Sequence, residues 1–452
     1  MRKIGIFIKS IPFKFPLIPL HFARFSGLLS AKLLDLKFSP NEKRTELFNE
    51  TLPLLLEKPT NLSDLIVFFQ DFEKNQSIHT EFVQYLGLFS NFFQKYAQTL
   101  SLKSLEKLQI ISLVELFSTF PELLKKNIGF FNSLDVYFTR NRDFAPETLL
   151  KVLILAININ RCSDKLHDFL EKIDDFSKIS IESHINLAIS LRNCEIISLD
   201  FAKIVYRELR KRNNEIKLNY WLETLYTAAL LNIPDMKELF VSGLNYLKST
   251  NFTRNFEIMK YLWILMYFGL KYNEKLEKKV LEGLISNLKN NMNNTINSNN
   301  HSFAYKIHEI ELFLKKYYLE IYSNQWKFEN FMQENEWFKG GLNKIGSILQ
   351  KDVEIILKIA NIPFEREKRI EKIYLVDFFI PEQLLILEIN GPQHYSFNKK
   401  NQDILLNGTS FVKSEVLKSC GMKVRNISYK KWYEIKGVRE KLEFVNNLVY
   451  DS

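Results

Sequence analysis

Two carboxylates near the end of the chain lie where neighbouring strands would bring them together. Asp377 belongs to an alternating run, and Glu388 belongs to a second apolar run beyond a short turn. Paired carboxylates on adjacent strands can hold a divalent cation such as Mg²⁺ and so activate a water molecule. Lys413 and His394 are further residues that could assist such chemistry. The same acids could instead hydrogen-bond to Asn390 and His394 and only fix the hairpin end, and both interpretations stay open.

Cations and aromatic side chains are frequent in the same part of the sequence. Lysine and arginine side chains track phosphates, and aromatic rings stack on unpaired bases. The sequence therefore predicts an RNA-binding surface in this region. Its candidate residues are Asn390, His394, Tyr395, Lys413, Lys423, Arg425, Tyr429, Lys430 and Lys431. Trp432 is a further candidate for stacking, although a tryptophan is more often part of a core than of a ligand site.

The elements that position these residues form a small α/β unit. Residues 343–360 carry apolar side chains at helical spacing, and the runs 374–380 and 384–390 predict a hairpin. A helix over 409–420, a strand over 422–429 and a final helix over 431–449 follow. The order α-β-β-α-β-α predicts a mixed sheet flanked by helices. Because the apolar period changes at Gly340 and Gly341, we expect residues 343–452 to form a separate domain.

This part of the sequence resembles a RAP domain, an RNA-binding module abundant in apicomplexan proteins. The resemblance rests on the stretches VDFFIPEQLLILEINGPQHY and NGTSFVKSEVLKSCGMKVRNISYKKW. The matching positions are Asp377, the strand end 388–392, His394, Thr409, Lys413, Gly421 and the segment 429–432. The resemblance implies RNA binding. Such proteins usually also carry a transit peptide and degenerate helical repeats.

RAP domains are similar in fold to restriction-type nucleases, whose active site has a D…(D/E)xK motif. The resemblance therefore implies that Asp377 and Glu388 stand where such enzymes hold Mg²⁺. The motif lysine lies two residues beyond the second acid, on the same face of the strand, and this chain has Asn390 there. An amide supplies no cation, so catalysis would need Lys413 to replace that lysine from the helix. Mg²⁺ is expected only under this nuclease alternative, and no other cofactor is expected.

The chain from about 45 to 335 has apolar residues at helical rather than alternating spacing. Predicted helix starts fall near Glu147, Glu182, Asn219 and Asn255, at intervals of 35, 37 and 36 residues. Two helices per unit and a period in the mid-thirties predict an α-solenoid. The alternative is an irregular helical bundle, because no consensus residue recurs from unit to unit.

The first 34 residues are basic and contain no acidic residue. Their basic residues are Arg2, Lys3, Lys9, Lys14, Arg24 and Lys32. This composition predicts a transit peptide over 1–34 and a mitochondrial location, with a plastid address or a basic tail as alternatives. These six residues supply most of the formal charge of +10, so the remaining chain is only weakly basic. Any RNA-binding surface must therefore be local.

Composition and motifs argue against several other classes of protein. Cys162, Cys194 and Cys420 form no CxxC pair, so neither a zinc site nor a disulfide framework is predicted. The sequence has no phosphate-cradling, dinucleotide-binding or serine-hydrolase motif. No apolar run is long enough to predict a membrane-spanning helix.

Three functions fit these features. The first is an organellar RNA-binding protein that acts in RNA stability, processing or translation. The second is a structural rRNA-binding component of a mitochondrial ribosome, in which other ribonucleoprotein subunits would be partners. The third is a Mg²⁺-dependent endoribonuclease. Single-stranded or structured RNA is the predicted partner in each case. The first two functions use the same residues, whereas the third requires the carboxylate pair to bind metal.

Overall fold

The computed structural model describes residues 128–140, 144–158, 176–193, 197–292, 301–325, 347–397 and 404–450, with positions 111, 114 and 117. The predicted transit peptide, Gly340 and Gly341 lie outside these residues. The chain divides into two compact units, residues 1–134 and residues 135–452. The second unit contains both the helices after residue 140 and the C-terminal module, here residues 347–450.

The helical part consists of amphipathic helices in chain order. They are α1 (Ile128–Arg140), α2 (Pro146–Asn158), α3 (Ile181–Ser190), α4 (Leu199–Lys211), α5 (Leu218–Leu231), α6 (Lys237–Leu247), α7 (Asn255–Tyr272), α8 (Lys278–Met292), α9 (His301–Tyr317) and α10 (Leu319–Gln325), with a short strand β1 (Ile197–Ser198) before α4. The four predicted helix starts agree within one residue with the first residues of α2, α3, α5 and α7. Among the described helices, none combines the length and apolar character that a membrane span requires.

Contacts join equivalent positions of successive helical units. The pairs are Ser180 with Glu147, Lys217 with Glu182, Lys260 with Glu223, and Tyr267 with Asn232. In each pair the partners are 33 to 37 residues apart, which is about one predicted repeat. Nearest-neighbour contacts of this kind are what an array of stacked repeats requires. We call α2 to α10 the helical array.

The C-terminal module contains a four-stranded mixed sheet with helices packed on it. Its elements are α11 (Ile348–Ile359), β2 (Glu365–Ile370), β3 (Tyr374–Ile380), β4 (Leu385–Asn390), β5 (Tyr395–Phe397), β6 (Ile404–Leu406), α12 (Gly408–Ser419), β7 (Lys423–Ser428), α13 (Tyr429–Glu434) and α14 (Val438–Tyr450). The strand order is β2-β3-β4-β7, and only β4 and β7 are parallel. A core of apolar side chains joins α11 and α14 to one face of this sheet. The predicted fold class, a helical-repeat region followed by a small mixed α/β module, is confirmed.

Three features of the module differ from the predicted element order. The edge strand β2 has the sequence EREKRI. An edge strand tolerates charged residues, and this run therefore lacks the apolar alternation by which a strand is predicted. The short strands β5 and β6 form a second sheet with β1 of the helical part, in the order β1-β5-β6. That pairing joins distant parts of the chain, so no local pattern predicts it. The final helix is divided at Gly437 into α13 and α14, because glycine weakens a helix.

The module packs directly on the helical array. Gly408 at the start of α12 is buried, and a Cβ there would lie 1.7 Å from the carbonyl oxygen of Ala229 on α5. Asn232 donates a hydrogen bond of 2.7 Å to a main-chain carbonyl of β6. The rings of Tyr267 and Phe411 meet edge to face, with centroids 5.8 Å apart. These contacts argue against independent folding of the module, and the predicted domain boundary stays a prediction.

A buried carboxylate also ties the sheet to the array. Glu309 on α9 accepts hydrogen bonds from Trp263 Nε1 at 3.0 Å and from Tyr374 Oη at 3.3 Å. Lys306 Nζ donates to the same carboxylate at 3.1 Å and lies 3.9 Å from the centroid of the Trp263 ring. Because a buried charge is stable only when it is paired and hydrogen-bonded, this cluster fixes α7, α9 and β3 relative to one another.

Candidate functional site

A cleft of about 410 Å³, whose surface is mostly apolar but carries several polar side chains, lies where the C-terminal module meets the helical array. Its walls are formed by β4, β7, α12 as far as Leu417, the turn at 392–394 and α9. The polar side chains that line it include Asn390, Gln393, His394, Asn407, Ser410 and Asn426. Its volume falls within the range of small-ligand clefts, about 300–1,000 Å³. The structure therefore offers room for a group the size of one nucleotide.

Alternation along β4 and β7 decides which side chains reach the cleft. The register of these parallel strands pairs Glu388 with Asn426, and both line the cleft. Ile389 and Ile427, one residue further along each strand, belong to the core under α11 and α14. Asn390 follows two residues after Glu388 and returns to the cleft side. The prediction that Glu388 and Asn390 share one face is confirmed.

Glu388 and Lys413 form an ion pair at the floor of the cleft. Lys413 Nζ lies 2.8 Å from each carboxylate oxygen and donates 2.9 Å to the carbonyl of Leu375. Its hydrogen bond to the carboxylate goes to Oε2, so Oε1 is buried without a hydrogen-bond partner among the described residues. Burial raises the pKa of Glu388 to about 7. The charge of Lys413 lowers this pKa, and the charge of Asp377 raises it by a smaller amount.

Asp377 does not line the cleft but closes the hairpin. The β3–β4 ladder ends at Phe378, one residue before the point where Asp377 would face Glu388. The Asp377 carboxylate accepts a hydrogen bond of 2.7 Å from the N–H of Ile389, in place of the main-chain carbonyl that would accept it if the β3–β4 pairing continued. It also accepts a hydrogen bond from Gln350, which completes the capping box at the start of α11. Both oxygens of Asp377 therefore have structural partners.

The two carboxylates do not fit a Mg²⁺ site. Across the described residues, no group of three His, Cys, Asp or Glu side chains is placed to hold a metal ion. A divalent cation would have to displace Lys413 from Glu388 and the N–H of Ile389 from Asp377. It would also bind beside a carboxyl group whose raised pKa disfavours the charged form. The arrangement is that of an ion pair and a hairpin closure.

Neutral hydrogen-bonding groups line the cleft beside this ion pair. Asn390 Nδ2 donates 2.7 Å to Asn426 Oδ1, and Asn390 is also hydrogen-bonded to Tyr395. His394 Nδ1 lies 3.0 Å from Ser410 Oγ. Burial, followed by the charge of Lys413, lowers the pKa of His394, so the imidazole is neutral at pH 7. The cleft thus presents amides, hydroxyls and a neutral imidazole.

Residues 387–448 match the family model for the RAP domain. The resemblance seen in the sequence is thereby confirmed for this part of the chain, which we call the RAP segment. It contains β4 to α13 and most of α14, whereas α11, β2 and β3 precede it. It supplies every side chain of the cleft named so far. A RAP domain indicates RNA binding in general.

The aromatic residues predicted to stack on bases lie outside the cleft lining. Tyr395 in the RAP segment is buried, and its ring centroid is 6.4 Å from that of Tyr429. Trp432 is fully buried in the core, where its Nε1 donates 2.8 Å to Asp352 and Lys441 lies over its ring. Burial therefore makes Tyr395 and Trp432 unavailable for stacking.

Most of the predicted cations also lie away from the cleft. Lys423 and Arg425 are exposed and alternate with Val424 and Asn426, so they leave β7 on the opposite face of the sheet. Lys430 and Lys431, in the first turn of α13, are also absent from the lining. Lys413 is the one predicted cation of the RAP segment that the cleft contains.

Several cleft residues escape prediction from the sequence, among them Asn426, Tyr305 and Asn407. Tyr305 on α9 lines the cleft from the helical array, and its ring stands edge-on to Tyr374 at 5.9 Å. Its position fits ordinary helix packing, so its sequence context gives no signal of a site. Asn407 caps α12 by accepting the N–H of Ser410 and donates to the carbonyl of Gln393, both at 2.9 Å. An Asn before a helix is a recognisable cap signal, and that signal could have placed Asn407 beside the cleft.

Glu388→Gln should flatten the pH dependence of stability. The folded pKa of Glu388, about 7, lies above its ordinary value of 4.5, so the folded chain holds an extra proton between these values. The extra proton stabilises the folded chain by about 3 kcal/mol. This stabilisation is fully present below pH 4.5 and is lost as the pH rises through the folded pKa of about 7. Urea unfolding at several pH values measures it. The lowered pKa of His394 makes stability rise with pH instead, but His394 is present in both the wild type and the Glu388→Gln variant, so the difference between them does not contain it. Parallel pH profiles for the two chains would contradict the raised pKa.

Proposed function

We propose that this chain is an organellar RNA-binding protein, acting in RNA stability, processing or translation, whose RAP segment holds one unpaired nucleotide in the cleft. The observation that carries the proposal is the lining of the cleft by amides and hydroxyls, such as Gln393, Asn426 and Ser410. Amide side chains supply a donor and an acceptor side by side, which matches the edges of nucleobases.

The charge of the cleft favours a base over a phosphate. Lys413 is the one cationic side chain among the described lining residues, and it is already paired with Glu388. His394 is neutral because its pKa is lowered. A phosphate entering the cleft would leave water without gaining an unpaired cation, and an unpaired buried charge is costly. A neutral base loses much less on entering.

The form of the cleft favours single-stranded RNA. The lining groups come from α9, α12, the turn at 392–394 and the strands β4 and β7, which together enclose a concave cavity. A base inside a duplex has its pairing edge occupied and cannot enter such a cavity. Bases in loops and at chain ends can be turned out and hydrogen-bonded on their edges, which is how most sequence-specific RNA recognition works.

The organellar location rests on the first 34 residues, which are rich in Lys and Arg and lack acids. Import signals have this composition because a basic amphipathic segment is drawn into the organelle. A fusion of residues 1–34 to a fluorescent protein tests this part separately, and a diffuse cytosolic signal would contradict it. The RNA-binding part does not depend on this outcome.

Asn426→Asp in the full chain should weaken the binding of single-stranded RNA by about fivefold to a hundredfold, since a base-edge contact is worth about 1–3 kcal/mol. The substitution keeps the shape and the acceptor for Asn390, but it removes a donor and adds a negative charge. Asn447→Asp on α14 is the matched control, because Asn447 is exposed and lies in the RAP segment outside the cleft. Fluorescence anisotropy at fixed salt concentration measures both affinities.

Equal affinities of the two variants would contradict RNA binding in the cleft. The same samples, incubated with Mg²⁺ and resolved on a gel, also test the nuclease alternative. Cleavage that disappears in Glu388→Gln would show that the pair of Glu388 and Lys413 opens to admit metal. We expect the RNA to remain intact, because Asp377 and Glu388 are committed to other partners.

A further inference from the structure

The RAP segment by itself provides no aromatic ring to the cleft. Its rings at Tyr395 and Trp432 are buried, and Tyr429 is not among the lining residues. The aromatic side chain among the described lining residues is Tyr305, which belongs to α9 and lies outside the matched region 387–448. The aromatic part of the cleft wall is therefore built by the helical array.

Tyr305 is held in place by the polar cluster beneath it. Its ring stands edge-on to Tyr374, at an interplanar angle of 85°. One turn later on α9, Glu309 fixes the helix through hydrogen bonds from Trp263 and Tyr374. A ring positioned in this way loses little conformational entropy when a ligand packs on it.

The Tyr305 hydroxyl is also available to a ligand. Within the described part of the chain it makes no hydrogen bond, and the side chain keeps a minor part of its surface exposed in the cleft. Burial, together with the nearby carboxylates of Glu309 and Glu388, raises the pKa of Tyr305, so the phenol remains protonated and neutral. Tyr305 thus combines a flat apolar surface with a free hydroxyl at the side of the cleft.

We propose that Tyr305 is the ring on which the bound base stacks, so that the helical array completes the RNA-binding site of the RAP segment. This inference rests on the proposed function of the cleft. Hydrogen bonds from cleft amides such as Asn426 act on the edge of a base but leave its faces unsupported. Stacking on an aromatic ring fixes the plane of the base and is tolerant of base identity, because every base has a π-face. The amides then determine which edge fits.

The proposal is tested by comparing Tyr305→Leu and Tyr305→Phe in the full chain. We expect Tyr305→Leu to weaken binding of a short single-stranded RNA on the order of tenfold and Tyr305→Phe to change it by less than about twofold, since the ring carries the contact. Tyr317→Leu is the matched control. Tyr317 lies on the same helix, is half exposed and is hydrogen-bonded to Ser419, but does not line the cleft. Its loss therefore reports general loosening of the array from the module.

Asn426→Asp in the same titrations separates this inference from the proposed function. Weaker binding by Asn426→Asp with unchanged binding by Tyr305→Leu would overturn the role of Tyr305 and leave the cleft function standing. Unchanged binding by both variants would overturn both. Equal losses in Tyr305→Leu and Tyr317→Leu would show loosening of the interface in place of stacking, and would also overturn the role of Tyr305.

A second measurement decides the case in which Tyr305→Leu fails to fold. Photoreactive p-azidophenylalanine in place of Tyr305 keeps an aromatic ring and should crosslink to a base of the bound RNA. The same residue in place of Tyr317 should give no crosslink. A chain that binds RNA but gives no crosslink from position 305 would overturn the proposal.

Discussion

Gly408→Ala is expected to destabilise the chain by about 3 kcal/mol or more, at the upper end of the cost of overpacking. A Cβ at this position would lie 1.7 Å from the oxygen and 2.7 Å from the carbon of the Ala229 carbonyl. Those are main-chain atoms of α5, so no side-chain rotation relieves the clash. The start of α12 would have to withdraw from the helical array. Urea unfolding followed by circular dichroism measures the loss.

Gly283→Ala provides the matched control for this prediction. Gly283 lies inside α8, and a Cβ there would meet nothing within 4 Å. Alanine is a better helix former than glycine by about 0.5–1 kcal/mol, so this substitution should stabilise the chain. The two glycines therefore predict effects of opposite sign. A Gly408→Ala chain as stable as the wild type would show that α12 does not pack against α5 as closely as the structure has it.

Local sequence patterns were sufficient to predict the helices and strands that bury one face against neighbouring elements. The helix starts near Glu147, Glu182, Asn219 and Asn255 follow from apolar spacing, since each helix packs on its immediate neighbours. The strands β3, β4 and β7 follow from alternation or from short apolar runs between turn residues. The edge strand β2 and the pairing of β1 with β5 do not follow, because they depend on partners distant in the sequence.

The candidate site divides in the same way. Glu388, Asn390, His394 and Lys413 were predicted from the sequence, and all four line the cleft. Arg425 could have been excluded from the cleft, because alternation places it on the face of Ile427, which is in the core. Asp377 was predicted on the correct strand. Its carboxylate accepts the N–H of Ile389 because the β3–β4 pairing ends at Phe378, and the sequence does not show where that pairing ends. No pattern in α9 distinguishes Tyr305 from a packing residue.

Lys413→Met is expected to destabilise the folded chain by about 2–4 kcal/mol at pH 8. The lost hydrogen bonds cost about 1–3 kcal/mol, and Glu388, whose pKa is about 7 in the intact pair, must take up a proton at a further cost of about 1.4 kcal/mol. The loss should be smaller at pH 5, where Glu388, with a pKa of about 7, is already protonated in the folded chain. What remains there is the unsatisfied carbonyl of Leu375, worth about 1–3 kcal/mol. Urea unfolding at both pH values gives the comparison. Adding Glu388→Gln to the same chain should remove the pH-dependent part.

Lys418→Met on the same helix is the control, since its exposed ion pair with Glu415 should contribute no more than about 1 kcal/mol. The salt dependence of RNA binding then distinguishes the two roles open to Lys413. A lysine that contacts phosphate releases about one counterion on binding, so its loss would reduce the salt slope by about one. Because Lys413 is paired with Glu388 at the floor of the cleft, we expect the slope of Lys413→Met to equal that of the wild type. A slope lower by one ion would place a phosphate, and not a base, beside Lys413.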